Sequence, residues 1–111
     1  MVSASTSTPT VTVLKHVTDQ SNVTYTTTAN QYSSIIVVHS GWGTDNGTGG
    51  NSDCYIDGTH VWRISHGNSC SRATCGGLNQ TILSGSSSHT IRLSVNGDSI
   101  GGGILIVGVK N

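Results

Sequence analysis

Hydrophobic and polar residues alternate along much of the chain, which is the pattern of a half-buried β-strand. Residues 11–17 and 23–27 both repeat with a period of two, so that alternate side chains point to opposite faces of a sheet. Residues 32–40 instead centre on the unbroken apolar run Ile35–Val38, which predicts a central strand covered on both faces. Three more strands are predicted further along the chain, over residues 80–84, 89–95 and 103–110.

Turn signals separate these segments. Residues 54–56 and 60–64 flank the sequence Asp57-Gly58-Thr59, and an Asp-Gly pair readily adopts the positive φ angles of a tight hairpin turn. Two glycine-rich stretches, residues 41–50 and 67–77, are predicted to be long irregular segments. The whole pattern predicts about eight strands and no helix.

Composition supports the same fold class. The chain has no glutamate and only three alanines, while serine, threonine, glycine and β-branched residues fill most of it. The best helix formers are therefore scarce, and residues that pack well on a pleated sheet are abundant. We expect an all-β protein, a two-sheet jelly-roll-like β-sandwich of about eight strands.

The domain organisation is expected to be simple. Residues 1–10 are rich in serine and threonine and contain Pro9, the only proline, so they are predicted to form an extended N-terminal arm. Residues 11–111 are predicted to form a single jelly-roll domain.

Charge argues against two kinds of partner. Five basic and five acidic residues give a formal net charge of zero. The basic residues are scattered and form no stripe that could neutralise phosphates, so we expect no binding to nucleic acid; they are Lys15, Arg63, Arg72, Arg92 and Lys110. No stretch reaches the roughly 18 apolar residues of a membrane span, and the first residues lack the features of a secretory signal. We expect no association with a membrane.

Two further features point to an assembly inside a reducing compartment. Only 33% of the residues are hydrophobic, which predicts a modestly stable monomer that gains stability by association. A neutral surface does not repel its own copies, so a homo-oligomer, either a dimer or a trimer, is expected. Cys54, Cys70 and Cys75 are odd in number and fit a reducing environment, although a bridge between Cys70 and Cys75 across a turn stays open.

Two metal hypotheses have little support. Residues 60–75 contain two histidines and two cysteines, but the two-residue cysteine spacing of structural zinc sites is missing. Residues 45–53 offer several oxygen ligands for calcium, but they lack the alternating ligands and terminal glutamate of an EF-hand. We expect no metal and no cofactor.

The sequence also lacks recognisable catalytic motifs. It has neither a Gly-x-Ser-x-Gly elbow nor a phosphate-binding loop, the motifs that would predict a hydrolase or a nucleotide-binding enzyme. Asp53 and Asp57 lie on either side of the predicted turn, where solvated side chains are more common than the facing carboxylate pair of a glycosidase. We therefore expect that the protein is not an enzyme.

Trp42 is the aromatic residue of most interest. It lies in the predicted loop 41–50 with Asp45 and Asn46, and a tryptophan beside polar loop residues resembles a platform for stacking sugars. The alternative is that Trp42 caps the open end of the sandwich. We favour the capping role because tryptophan is usually largely buried.

Residues 26–111 resemble a family of compact jelly-roll modules from the virions of tailed bacteriophages and, more distantly, the trimers of tumour necrosis factor and C1q. The resemblance rests on the strand and Gly-Trp pair of residues 34–43, the hairpin Tyr55-Ile-Asp-Gly-Thr-His-Val61, and the terminal strand Gly-Gly-Ile-Leu-Ile-Val-Gly-Val-Lys110. In size and architecture the chain is most similar to the capsid decoration or staple proteins of short-tailed, epsilon-fifteen-like phages.

The resemblance implies a structural role on the outer surface of a capsid, in a virion made in the host cytoplasm. The expected partner is the major capsid protein, whose neighbouring subunits the chain would bridge. Because the chain begins at Met1 and has only a short arm, we favour this role over the alternative, a tail-fibre or spike tip that binds a host-surface glycan or receptor. The expected contacts are Val2, Pro9, Val11 and Val13 from the arm and first strand, and Trp42, Asp45 and Asn46 from the glycine-rich segment.

Overall fold

The structure is a computed structural model that describes residues 8–18, 22–43, 50–66, 76–97 and 100–111. These residues contain eight β-strands. The strands are β1 (Thr10–Thr18), β2 (Asn22–Thr26), β3 (Ser34–Gly43), β4 (Gly50–Ile56), β5 (Thr59–His66), β6 (Gly76–Ser84), β7 (Thr90–Gly97) and β8 (Ile100–Lys110). No helix long and apolar enough to cross a membrane is found in the described ranges.

The strands form two antiparallel sheets of four strands each. Sheet I has the order β1-β8-β3-β6, and sheet II has the order β2-β7-β4-β5. Neighbours within a sheet are distant in sequence except for β4 and β5, so the chain crosses repeatedly between the sheets. Two four-stranded sheets connected in this order make a jelly-roll sandwich, which confirms the predicted fold class.

The hydrophobic core lies between the two sheets. Its buried side chains come from alternate positions of the central strands, as the period of two predicts. They are Ile35, Val37, Ile104 and Ile106 from sheet I, and Cys54, Ile56, Ile91 and Leu93 from sheet II. Because only one side of each sheet faces this core, the other side of each sheet is an outer face.

The β4–β5 connection is a tight two-residue turn, as the sequence predicts. Asp57 and Gly58 have φ angles of 52° and 82°, the left-handed pair that suits the twist of a hairpin. The carboxylate of Asp57 accepts a hydrogen bond from the backbone N–H of Thr90 at 2.9 Å. This contact attaches the turn to the start of β7.

The N-terminal strand forms one edge of sheet I. β1 begins at Thr10 and pairs with β8, and its register shifts between Val13 and Lys15. Thr8 and Pro9 precede the strand and are exposed. Most of the predicted arm, including Val2, lies outside the described residues.

The segment predicted as a loop over residues 41–50 is partly strand. β3 continues to Gly43 and β4 begins at Gly50. A Cβ atom on Gly41 would lie 2.9 Å from the Cβ of Ser52, so this glycine permits a close approach between the sheets rather than a loop. Trp42 is therefore a strand residue, and Asp45 and Asn46 lie outside the described residues.

Candidate functional site

The outer face of sheet I carries a row of aliphatic side chains that crosses all four strands. The row consists of Val13 on β1, Val107 on β8, Ile36 on β3 and Ile82 on β6. Directly opposed residues on adjacent strands project from the same face and contact one another. Val13 and Ile82, at the two ends of the row, are 61% and 69% exposed, so the row ends in open apolar surface.

More aliphatic residues flank this row on both sides. Val11 pairs with Val109, and Leu105 pairs with Val38. Val11 is 64% exposed and Leu78, near one end of β6, is 69% exposed. A depression of about 190 Å³ adjoins Val38 and Leu105. We use the name aliphatic face for this surface, which comprises Val11, Val13, Ile36, Val38, Leu78, Ile82, Leu105, Val107 and Val109.

The outer face of sheet II is polar by contrast. Asp53 and Tyr55 of β4 pair with Arg63 and His60 of β5, and Arg92 of β7 lies across from Tyr55. The guanidinium carbon of Arg92 lies 4.0 Å from the centre of the Tyr55 ring, close enough for a cation–π contact. A sheet with one face on the core and a polar opposite face is the usual arrangement in antiparallel proteins, so it is sheet I that departs from the rule.

Asp53 is the centre of a charged cluster on this polar face. One carboxylate oxygen accepts hydrogen bonds from Arg63 Nε at 2.8 Å and His60 Nε2 at 3.1 Å, and the other accepts one from Arg63 Nη2 at 3.1 Å. The side chain of Asp53 is only 2% exposed. The hydrogen bonds from Arg63 lower the pKa of Asp53 despite its burial, so the group is an ionised, paired carboxylate. It is part of a strand and not of the solvated turn that the sequence suggests.

Trp42 lies on the outer side of sheet I, beyond the end of the aliphatic face. It pairs with Gly76 and Gly101, and its indole lies so close to Gly101 that a Cβ atom there would overlap the indole Nε1. Trp42 is half-buried. The indole thus packs against Gly101 of β8, and part of the side chain stays exposed beside the sheet.

A histidine and a serine are hydrogen-bonded in the interior. The Nε2 of His39 lies 2.9 Å from Ser52 Oγ, which donates in turn to the carbonyl oxygen of Ser40 at 3.1 Å. His39 therefore donates from Nε2, and its buried Nδ1 has no hydrogen-bond partner among the described atoms. The imidazole stacks on Trp62 with a centroid distance of 6.0 Å.

A serine and a histidine are the residue types of a catalytic nucleophile and base, but His39 and Ser52 are not accessible as a catalytic pair must be. His39 and Ser52 both have zero exposure, so a substrate cannot reach the hydroxyl, and the burial lowers the pKa of His39. A nucleophile needs access and a base that something orients. The contact is a packed polar pair in the core.

His89 connects the two sheets at one end of the sandwich through hydrogen bonds to the β4–β5 turn and to the end of β6. Its Nδ1 lies 2.7 Å from Asp57 Oδ2, and its Nε2 lies 2.9 Å from the carbonyl oxygen of Ser84. Both partners are acceptors, so this geometry suits the imidazolium form, in which both ring nitrogens donate. The hydrogen bond with Asp57 raises the pKa of His89, and the same bond, with help from Thr90, lowers the pKa of Asp57.

The structure bears on the metal hypotheses only in part. Among the candidate zinc ligands in residues 60–75, His60 is hydrogen-bonded to Asp53. Cys70 and Cys75, with any disulfide bridge between them, lie outside the described residues. Among the candidate calcium ligands in residues 45–53, Asp53 forms an ion pair with Arg63. No group of three or more potential metal ligands is found in the described ranges. Cys54 is a buried thiol whose pKa burial raises to about 12.

The predicted contact residues are brought together only in part. Val11 and Val13 lie on the aliphatic face and Trp42 lies beyond its end, all on the same side of sheet I, while Pro9 is exposed just before β1. The sequence alone does not single out the other members of the face. A signal existed, since Ile36 and Val38 belong to a run that predicts cover on both sides.

The chain was found to match no protein-family model and no curated protein. Several solved structures are similar in fold. A family 35 carbohydrate binding module from Clostridium thermocellum is 9% identical, with a TM-score of 0.45, over 91% of this chain and 98% of that one. The CBM36-1 domain of a multidomain xylanase from the hindgut metagenome of Trinervitermes trinervoides is 16% identical, with a TM-score of 0.41, over 81% of this chain and 70% of that one.

A larger enzyme also contains a similar region. A cycloisomaltooligosaccharide glucanotransferase from Paenibacillus sp. is 19% identical, with a TM-score of 0.41, over 78% of this chain. The match spans only 13% of the enzyme's own chain. At these identities the likeness concerns the fold alone.

Proposed function

We propose that the chain is a non-enzymatic structural protein of a tailed-bacteriophage virion, which decorates the capsid and bridges neighbouring subunits of the major capsid protein. The observation that carries the proposal is the aliphatic face of sheet I, where Val13 and Ile82 are 61% and 69% exposed. Exposed apolar surface of this extent is characteristic of interaction sites. A protein that spends its life in an assembly can carry such a surface because partners cover it.

The bridging contact is assigned to the N-terminal arm. The arm leads into β1, which is an edge strand of sheet I. An extended segment that continues from an edge strand can lie along a neighbouring subunit and pair with it. Residues 2–9 would then reach a second capsid subunit while the jelly-roll domain rests on the first.

Deleting residues 2–9 tests this assignment without removing any residue of β1. We expect the truncated chain to keep the thermal stability of the full chain, because the deletion removes no core residue, and to lose binding to capsids purified without it. A matched control replaces the segment with the same number of glycine and serine residues. If the truncated chain binds capsids as well as the full chain does, the arm is not the bridge.

The number of copies per particle tests the wider proposal. A decoration protein is expected at close to one copy per major capsid subunit in purified particles, measured by quantitative mass spectrometry. A few copies would indicate a tail component, and none would reject a virion role.

A glycan-binding tip is the second candidate function, and the half-buried Trp42 favours it. A tryptophan that packs against Gly101 and keeps part of its side chain exposed is suited to stacking against a sugar ring. Trp42→Ala is expected to abolish binding to host cells or glycan arrays in that case. Replacing Trp62, which stacks on His39 in the interior, is not an equivalent control because it would disturb the core; Tyr55→Ala on the polar face is the matched one. Unchanged glycan binding by the Trp42 variant would reject this function.

A further inference from the structure

We infer that the aliphatic face of sheet I is covered by a second copy of the same chain, so that the protein is a two-fold dimer of sandwiches packed face to face. The first argument comes from the strands themselves. Residues 35–38 of β3 and residues 104–107 of β8 are apolar without interruption, and strands of that kind are buried on both faces. Sheet II covers one side of them, and no described element covers the other.

The remaining chain is poorly suited to cover this face. The residues outside the described ranges are 1–7, 19–21, 44–49, 67–75 and 98–99. Their sequences are dominated by serine, threonine, glycine, asparagine and aspartate, and only Met1 and Val2 are large aliphatic residues. Segments of that composition bury too little apolar area to replace water on nine aliphatic side chains.

The size and charge of the face suit a second copy. The whole outer side of sheet I, four strands about 4.8 Å apart and about ten residues long, covers about 650 Å², with the aliphatic face as its largest part. Two copies packed over all of this side would bury about 1,300 Å² in total. Specific interfaces bury about 1,200–2,000 Å². The nine aliphatic side chains carry no charge, and the whole chain is formally neutral, so these side chains do not repel their own copies. The polar neighbours on the same side of the sheet include His16, which pairs with Leu105, and Gln80, which pairs with Val38.

Geometry favours a dimer over a trimer. Two flat sheets pack face to face in pairs, and a two-fold contact uses the same patch on both subunits. A closed trimer would need two different patches on each copy. The aliphatic face is one continuous patch, so the two-fold arrangement uses all of it.

If the two-fold axis lies in the interface and runs parallel to the strands, the residues that meet across the interface can be named. Such an axis lays β1 of one copy over β6 of the other, because these strands are the opposite edges of sheet I. Val13 and Ile82 lie at the ends of the same cross-strand row. Each Val13 therefore contacts Ile82 of the second copy, and the two exposed ends of the row are covered together.

The test uses two charge variants of the full chain, Val13→Glu and Ile82→Lys. Both positions are more than 60% exposed, so neither change disturbs the core. Wild-type protein is expected to sediment at twice the 11.4 kDa mass of the monomer. Each variant alone is expected to dissociate at least ten times more readily. Thr24→Lys, an exposed change on the outer face of sheet II, is expected to leave the dimer intact.

Mixing the variants gives the sharper result. In a heterodimer of the two, one contact pairs the new glutamate of the first variant with the new lysine of the second, and the other contact keeps the wild-type Val13 and Ile82. Mixing is therefore expected to restore the dimer.

Several results would overturn the inference. Wild-type protein that is a trimer, or that has a dimer dissociation constant weaker than about 100 µM, would do so. The same holds if Thr24→Lys dissociates the dimer as much as Ile82→Lys does, or if mixing restores nothing. None of these measurements uses capsids, so the dimer and the proposed virion function succeed or fail separately.

Discussion

Two histidines of this protein respond to pH in opposite directions because their surroundings differ. His39 is enclosed in the core, where burial lowers its pKa and where a second ring proton would meet no acceptor among the described atoms. His89 is placed between the Asp57 carboxylate and the Ser84 carbonyl, and the hydrogen bond with Asp57 raises its pKa. The folded protein therefore favours a neutral His39 and a charged His89 at the same pH.

The raised pKa of His89 predicts a stability that falls as the solution becomes alkaline. The stabilisation from the His89–Asp57 pair is fully present below the ordinary histidine pKa of 6.5, and it is lost as the pH rises through the raised pKa of His89. In acid, the stabilisation is lost as the pH falls through the lowered pKa of Asp57. His89→Gln should lower the free energy of unfolding by about 0.5–1 kcal/mol near pH 6. The effect is small because Asp57 is half exposed and solvent screens the ion pair. Near pH 9 the loss should be much smaller. Urea unfolding at both values measures the difference.

Thr24→Gln is the control for this prediction, because it introduces the same side chain at an exposed position of β2 and removes no titratable group. It should leave the dependence of the unfolding free energy on pH as it is in the wild type. An unchanged pH dependence in His89→Gln would mean that His89 is not an imidazolium in the folded protein.

At the scale of elements, alternation predicts the strands but not how they pair. The periodic segments 23–27 and 89–95 are strands β2 and β7, as the sequence predicts, because alternation is a local property. Their pairing with each other depends on residues about 70 positions apart, which no local pattern encodes. The same limit hides the aliphatic face, since Val13 and Ile82 become members of one row only through the register of four strands.

Glycine is the main reason why parts of the sequence are misleading. The sequence predicts a loop from residue 41, but Gly41 lies within β3 because the sheets approach closely there, and Gly101 leaves space for the indole of Trp42. A glycine in a strand and a glycine in a loop look alike in sequence. Trp42 is therefore predicted in a loop although it is a strand residue.

Gly58 is a position where glycine does serve a turn, and this predicts a graded effect of substitution. Its φ angle is +82°, and the position that a Cβ atom would occupy has open space around it to 4 Å. A new side chain therefore has room, and only the backbone conformation is unfavourable. Gly58→Val should destabilise the fold by about 1–2 kcal/mol. Gly58→Asn should cost less than half as much, because asparagine tolerates this conformation. Equal losses of unfolding free energy in urea for the two variants would show that backbone strain is not the cause.

For the molecule as a whole, the two outer faces suggest different roles. The outer face of sheet II resembles the surface of an ordinary soluble protein, with the charged cluster around Asp53 and the Arg92–Tyr55 contact. The outer face of sheet I carries the exposed aliphatic face, and a large exposed apolar patch is a departure from an ordinary protein surface. A dimer through sheet I would bury the aliphatic face and keep both polar faces in water.

The dimer also predicts that thermal stability depends on protein concentration. When folding is coupled to association, the melting temperature rises with total protein concentration, because the folded dimer is favoured by mass action. We expect the midpoint of wild-type protein to rise measurably over a hundredfold range of concentration. The midpoint of Ile82→Lys should lie below that of the wild type at high concentration and should rise less over that range, because the dimer of the variant dissociates more readily. The midpoint of Thr24→Lys should follow that of the wild type at every concentration. If the wild-type midpoint does not change with concentration, association does not contribute to the stability of the fold.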